Sequence, residues 1–228
     1  MGTERDSAFR PSKKSFLQMS HREDRATVQW RRLDLPGHEV AQLSREADGW
    51  RLSGVAALTE SGRPCRLEYD ITSDAKWHTE RCLVHGYVGP IGIKLDLVRS
   101  PSSAWTVNGT PVGSLDGCED VDLGFSPATN LLPIRRLRLE VGATASVRAA
   151  WVRFPEMTTE LLEQVYTRVA ADRYLYESAG GTFKRELIVD ATGFVVEYPG
   201  VWVAEASAGT ATFDEAGLPL RWRPIHLQ

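Results

Sequence analysis

Leu187-Ile188-Val189-Asp190-Ala191-Thr192-Gly193-Phe194-Val195-Val196-Glu197-Tyr198 decides the fold class. An apolar, partly β-branched run meets an Asp-x-x-Gly turn and resumes as a second apolar run ending in an aromatic. Gly193 supplies the left-handed turn residue, and the Asp190 carboxylate can accept N–H bonds from the turn that follows it. The reading is strand, tight turn, antiparallel strand. Residues 210–222 repeat the plan, and residues 58–69 carry a looser copy. The spacing is too irregular for a solenoid or propeller, so meander hairpins are the economical explanation.

Working outward, Ile93-Lys94-Leu95-Asp96-Leu97 and Arg136-Leu137-Arg138-Leu139-Glu140-Val141 both alternate apolar with charged residues. Period two over five or six residues predicts half-buried strands. Trp105-Thr106-Val107 runs into Asn108-Gly109, a hairpin signal because both turn residues tolerate positive φ. Gly142 is read as a turn between strands 137–141 and 146–154, and Gly180-Gly181 as an interstrand turn. One principal helix is predicted after Pro155, capped by Thr158 or Thr159, with Leu161, Leu162, Val165, Tyr166 and Val169 at helical spacing. Glu160 suits its start, and Arg168 and Arg173 its end. The fold class is therefore mainly β with one principal α-helix. About ten antiparallel strands form a rolled or partly open sheet, and the helix packs against its concave side.

Composition narrows the function. The chain has 228 residues, 42% hydrophobic and 25% charged, with 27 Lys+Arg against 30 Asp+Glu and a net charge of −3. That balance argues against a duplex nucleic-acid partner, which normally demands a positive excess. Three cysteines, Cys65, Cys82 and Cys118, form no CxxC pair, and the five histidines show no HxH or HExxH spacing. Neither a disulfide framework nor a metal site is expected, and a reducing, cytoplasmic location fits. No Gly-rich phosphate loop or G-x-S-x-G elbow occurs, so no cofactor is expected. Apolar runs stop at about four residues, where a membrane span needs roughly twenty. Residues 1–27 mix charges without a sustained apolar period and read as a disordered tail, and residues 28–228 as a single domain. The oligomeric state is left open.

The densest polar run holds the candidate site. Asp120 and Asp122, at i and i+2, share one side of an extended segment, where paired carboxylates can do acid–base work. The structural alternative is that they accept bonds from the loop carrying Thr129 and Asn130, or pair with Arg135 or Arg136. A guanidinium fork can also grip a carboxylate or phosphate. On a strand only one of Arg135 and Arg136 faces inward, and Arg135 shares the side of Leu137. Trp151, Tyr166, Tyr174 and Tyr176 are candidates to line a cavity, since aromatic faces suit sugar rings and acyl chains. The simpler role for the seven tryptophans is core filling.

The block Gly117-Cys118-x-Asp120-Val121-Asp122-Leu123, then Ser126-Pro127-x-Thr129-Asn130-x-Leu132-Pro133-Ile134-Arg135-Arg136-Leu137, resembles the bacterial glycolipid-binding family. So do Trp151-Val152-x-Phe154-Pro155, Gln164-x-Tyr166, Tyr174-x-Tyr176-Glu177-Ser178 and Val189-Asp190-x-x-Gly193-Phe194-Val195-x-x-Tyr198-Pro199. The likeness spans roughly residues 28–203. It implies a spiral β-roll, similar to bacterial lipid carriers, and it carries no catalytic residue.

Three functional readings follow. The first is a non-enzymatic binding protein for an amphipathic ligand, a glycolipid or acyl-bearing molecule held in the roll. In it Arg135 or Arg136 and the Asp120/Asp122 loop meet the polar head. The second is a small-molecule enzyme using Asp120 or Asp122 with Arg135 or Arg136. The third is a protein-interaction module using a sheet edge or the N-terminal tail.

Overall fold

The computed structural model describes residues 25–208. Its first eight strands form one meander: β1 (Arg25–Arg32), β2 (Gly37–Arg45), β3 (Gly49–Glu60), β4 (Arg63–Asp74), β5 (Thr79–Val88), β6 (Ile91–Arg99), β7 (Trp105–Val107) and β8 (Thr110–Pro111). The second half is β9 (Asp120–Leu123), a short helix α1 (Leu131–Leu137), then β10 (Thr144–Val152), β11 (Thr159–Ala170), β12 (Arg173–Ser178), β13 (Phe183–Val189), β14 (Val195–Tyr198) and β15 (Trp202–Ala208). All fifteen strands belong to a single sheet in the order β8-β7-β6-β5-β4-β3-β2-β1-β15-β14-β13-β12-β11-β10-β9. Every neighbouring pair is antiparallel except β9–β10. The two meanders meet where β1 pairs with β15.

A sheet this wide cannot stay flat, because the twist of each strand accumulates. The sheet rolls until its β9 end reaches the start of β5: the Thr79 amide donates to the Glu119 carbonyl at 2.9 Å, and the Val121 amide to Thr79 Oγ1 at 3.2 Å. Inside the roll, Trp30, Trp105, Phe125, Phe194, Leu52, Leu67 and Ile71 are fully buried. Trp30 and Phe194 meet edge to face at 5.7 Å, and the Trp30 indole donates to the Val195 carbonyl at 2.6 Å. The three cysteines are free and buried.

The local turn chemistry is as the sequence predicts. Asn108 and Gly109 both take positive φ, 49° and 79°, between β7 and β8. Asp190 Oδ1 accepts bonds from the Thr192, Gly193 and Phe194 amides at 2.9–3.1 Å, closing the turn between β13 and β14. The sheet holds more strands than the ten expected, and β1 opens at Arg25, inside the expected tail. Residues 1–24 and the second hairpin copy at 210–222 lie outside the described residues.

The helix is not where the periodicity put it. The segment predicted as helical is β11 running into β12, and the apolar stripe is a coincidence of two faces. Tyr166 and Gln164 are buried on one side of β11, while Leu161, Val165 and Val169 lie on the other, partly or fully exposed. β-branched Thr159, Val165, Thr167 and Val169 favour the extended form. Conversely, residues 136–141 are not a strand. Arg136 and Leu137 end α1, Arg138 closes it in the left-handed region at φ 46°, and residues 139–143 turn into β10. Gly142 does turn the chain, but not between two paired strands. A tight 3₁₀ turn over Ala128–Asn130 leads into α1, which buries Leu131, Leu132, Pro133 and Ile134 within the roll. Seven residues are too few for a 3.6-residue period to stand out from an alternation.

Candidate functional site

Because α1 is a helix, Arg135 and Arg136 point about 100° apart rather than to opposite faces of a strand. Arg136 turns to the β9 edge. Its Nη2 donates to Asp120 Oδ2 at 2.6 Å and its Nε to Oδ1 at 3.3 Å, while Nη1 lies 2.7 Å from Glu119 Oε2. Burial raises the Asp120 pKa, and the Arg136 guanidinium opposes that rise without overcoming it.

Behind this pair lies a second buried network. Gln164 Nε2 donates to Asp122 Oδ2 at 2.6 Å and to the Tyr176 hydroxyl at 3.0 Å. Desolvation pushes the Asp122 carboxyl up to about 6, with the Gln164 bond working against it. Tyr166 donates from its hydroxyl to Asn130 Oδ1 at 2.8 Å, and Thr129 Oγ1 accepts from the Leu123 amide at 3.3 Å. Asp120, Asp122, Thr129, Asn130, Arg136, Tyr166 and Tyr176 are thus brought together as a polar band that fastens α1 and its preceding turn to β9, β11 and β12. Trp151 stands apart, with the Arg153 guanidinium 5.3 Å from its ring centroid.

Arg135 goes elsewhere. With Tyr174 it lines a cleft of about 500 Å³ at one end of the roll, where the C-terminal end of α1 and the β13–β14 turn face the start of β3 and the β4–β5 turn. That volume lies within the usual range for small-molecule sites. One wall is a stacked pair, Trp50 and Trp77, with ring centroids 4.4 Å apart and planes 17° from parallel. Trp77 is buried and holds φ at 75°, a costly conformation for a bulky side chain that persists only where surroundings impose it. The Arg135 guanidinium lies 5.6 Å from the Trp77 centroid, and its aliphatic stem runs over Gly193. Gly193 has φ 96°, and a Cβ there would come within 3.5 Å of Arg135 Nε. Arg135 Nε is buried and has no hydrogen-bond acceptor among the described residues. Such an orphaned donor costs about 1–3 kcal/mol; the Nη atoms at the end of the fork, which make no hydrogen bond to a described residue, are the donors left for a ligand. Burial lowers the Arg135 pKa, while Asp190 across the cleft raises it.

The sequence did not single out Trp50, Trp77, Arg138 or Arg168 as site residues. Trp50 and Trp77 come from a strand start and a turn 27 positions apart, and neither sits in a motif. The only local signal would have been the Asp-x-x-Gly turn, because Gly193 is the floor on which Arg135 rests. Among the described residues no three His, Cys, Asp or Glu side chains converge as metal ligands, and no helix is long and apolar enough to cross a membrane.

A rolled, open antiparallel sheet enclosing one short helix defines the architectural class. The chain belongs to the family described as "Putative glycolipid-binding", whose model matches residues 27–204. It is similar to a crystal structure of a DUF1089 family protein from Pseudomonas aeruginosa, with 35% identity and a TM-score of 0.64 over 72% of this chain and 90% of that one. No curated relative matches the chain. The family's description points to a binding role.

Proposed function

We propose that the protein is a non-enzymatic binding protein for an amphipathic molecule, a glycolipid or acyl-bearing conjugate, whose polar ring sits in the cleft. The observation that carries this reading is the stacked Trp50–Trp77 wall beside an Arg135 guanidinium that donates no side-chain hydrogen bond to any described residue. Sugar rings lie against indole faces through their C–H edges, and their hydroxyls accept from a guanidinium. Arg135 and Tyr174 are the contact residues among those picked from the sequence. Asp120, Asp122, Thr129, Asn130, Arg136, Tyr166 and Tyr176 hold α1 so that Arg135 reaches the cleft. The acyl chain extends from the ring past the mouth of the cleft. Its burial would contribute ~0.8 kcal/mol per methylene. A cytoplasmic location belongs to the same proposal, supported by three buried thiols left unpaired.

The enzymatic alternative loses support from the same geometry. Asp120 is engaged by Arg136, Asp122 by Gln164, and neither carboxylate lines the cleft that Arg135 enters. Native mass spectrometry of protein purified from its own cells is the test. Co-purified lipid, lost in Trp77→Ala, is the expected result. Empty protein that also takes up no amphipathic glycoside would overturn the proposal.

A further inference from the structure

We infer that the head group recognised in the cleft is anionic, carrying a carboxylate or phosphate that docks on Arg135 with Arg138 beside it. This inference rests on the cleft being the binding site proposed above.

The charge arrangement is the argument. Three guanidinium groups line the cleft, Arg135, Arg138 and Arg168, against two carboxylates, Glu140 and Asp190. None of the three arginines has a carboxylate within 4 Å among the described residues, although eleven arginine–carboxylate pairings do occur among them. Arg168 spends its donors on main-chain carbonyls of Leu139, Ala170 and Ala171 at 2.8, 3.3 and 2.6 Å. It therefore contributes charge but no free fork. Asp190 is tied into its own turn, where Oδ1 takes four donors, and it offsets one of the three positive charges without pairing with any of them. Arg138 sits exposed at the left-handed end of α1, and its side chain makes no hydrogen bond or ion pair among the described residues.

What remains is a pre-positioned fork and an excess of positive charge. Arg135 is held between the Trp77 ring and the Gly193 turn, so little side-chain freedom is lost when it binds. A neutral hexose would accept from the free end of the Arg135 fork but leave the excess charge unanswered. An oxyanion on the ring answers both, and a planar fork beside an aromatic wall suits a charged group attached to a ring. Carboxylate and phosphate share this chemistry.

The test measures binding of three probes to the full chain by calorimetry, each below its critical micelle concentration: n-octyl glucoside, n-octyl glucuronide and n-octyl glucoside 6-phosphate. One or both anionic probes should bind at least tenfold tighter than the glucoside, with a preference that shrinks as salt is raised. Whichever anion gains identifies the head group's source. Arg135→Gln should abolish the preference and weaken the glucoside as well, and an unchanged far-ultraviolet circular dichroism spectrum reports that the variant is folded. Arg138→Gln, at an exposed position, should reduce the preference about threefold. Equal affinity for all three probes overturns the anionic inference and leaves the proposed function standing. A preference that survives both variants overturns the assignment to Arg135 and Arg138. No binding by any probe overturns both readings.

Discussion

Tyr166 on β11 reaches Asn130, at the entry to α1, and donates to its side-chain oxygen at 2.8 Å. Thirty-six residues apart, the two belong to separate segments of the resemblance, and their bond fixes the helix against the strand that the periodicity mistook for a helix. Both are buried, so Tyr166→Phe leaves the Asn130 oxygen without its donor. Urea denaturation should reveal a loss of about 1–3 kcal/mol with an unchanged m-value. A loss under 0.5 kcal/mol would mean that the bond does not anchor the helix.

Asp120 and Arg136 form an ion pair whose carboxylate is 1% exposed. Arg136→Met strands that carboxylate, and a cost of about 3–5 kcal/mol is expected. The double variant Asp120→Asn with Arg136→Met should recover much of that loss, because the buried charge is gone. A double variant no more stable than the single one would show that the pair is not self-contained.

Stability should fall as pH rises through the neutral range. Glu39 on β2 is buried and accepts from the Tyr69 hydroxyl at 2.7 Å and the Ser126 hydroxyl at 2.5 Å, yet desolvation still pushes its carboxyl from 4.5 to about 7. Asp122 moves the same way, to about 6. A carboxyl whose folded pKa exceeds its unfolded one holds its proton more tightly when folded. Its contribution is therefore complete at low pH and drains away between the unfolded and folded values. For Glu39 that window is pH 4.5 to about 7, worth on the order of 3 kcal/mol. Melting temperature should drop from pH 5 to pH 8, and Glu39→Gln should flatten the slope. A rise over that interval would contradict the reading.

Trp50 supports Trp77 from behind, with the Arg45 guanidinium 5.0 Å from its own centroid, so Trp50→Ala removes half of the stacked wall without touching an arginine that lines the cleft. Binding of n-octyl glucoside and n-octyl glucuronide should weaken in the same ratio, by about tenfold or more. Calorimetry that finds the two unequally affected would assign Trp50 a part in anion recognition instead.

Gly193→Ala places a Cβ at φ 96° beneath the Arg135 stem. The strain costs about 1–3 kcal/mol. Because the floor moves, octyl glucuronide affinity should fall beyond what the loss of stability explains. Unchanged affinity would free Arg135 from dependence on this turn.

Features coded by neighbours in the chain were legible. Asn108-Gly109 and Asp190-x-x-Gly193 carry their turn geometry in their own backbones and side chains, and Ile93–Leu97 alternates because one face meets water. The identity of the family was equally plain from the block around Asp120 to Leu137. The helix was not, because α1 is decided by burial of Leu131, Leu132 and Ile134 inside a roll that no local window describes. β11 was misread for the related reason that its inward face carries Gln164, whose polarity is answered by Asp122, 42 residues away, and by the Tyr176 hydroxyl on the next strand. The cleft was least legible of all. Trp50, Trp77 and Arg135 converge only after the sheet has rolled, and Trp77 adopts a backbone angle that its type disfavours.

The pairing of β1 with β15 places Thr27 directly opposite Ala208, so the two ends of the described chain lie side by side in the middle of the sheet. Followed from β9 through β15, across that seam, and on from β1 to β8, the strands succeed one another without a skip. The topology is thus a simple zigzag ribbon cut at its centre and reconnected at its rims through the segment between β8 and β9. A circularly permuted chain, closed at the seam and opened near residue 115, would form every antiparallel pair of the ribbon from neighbouring hairpins, leaving only the parallel β9–β10 pair to the crossover through α1.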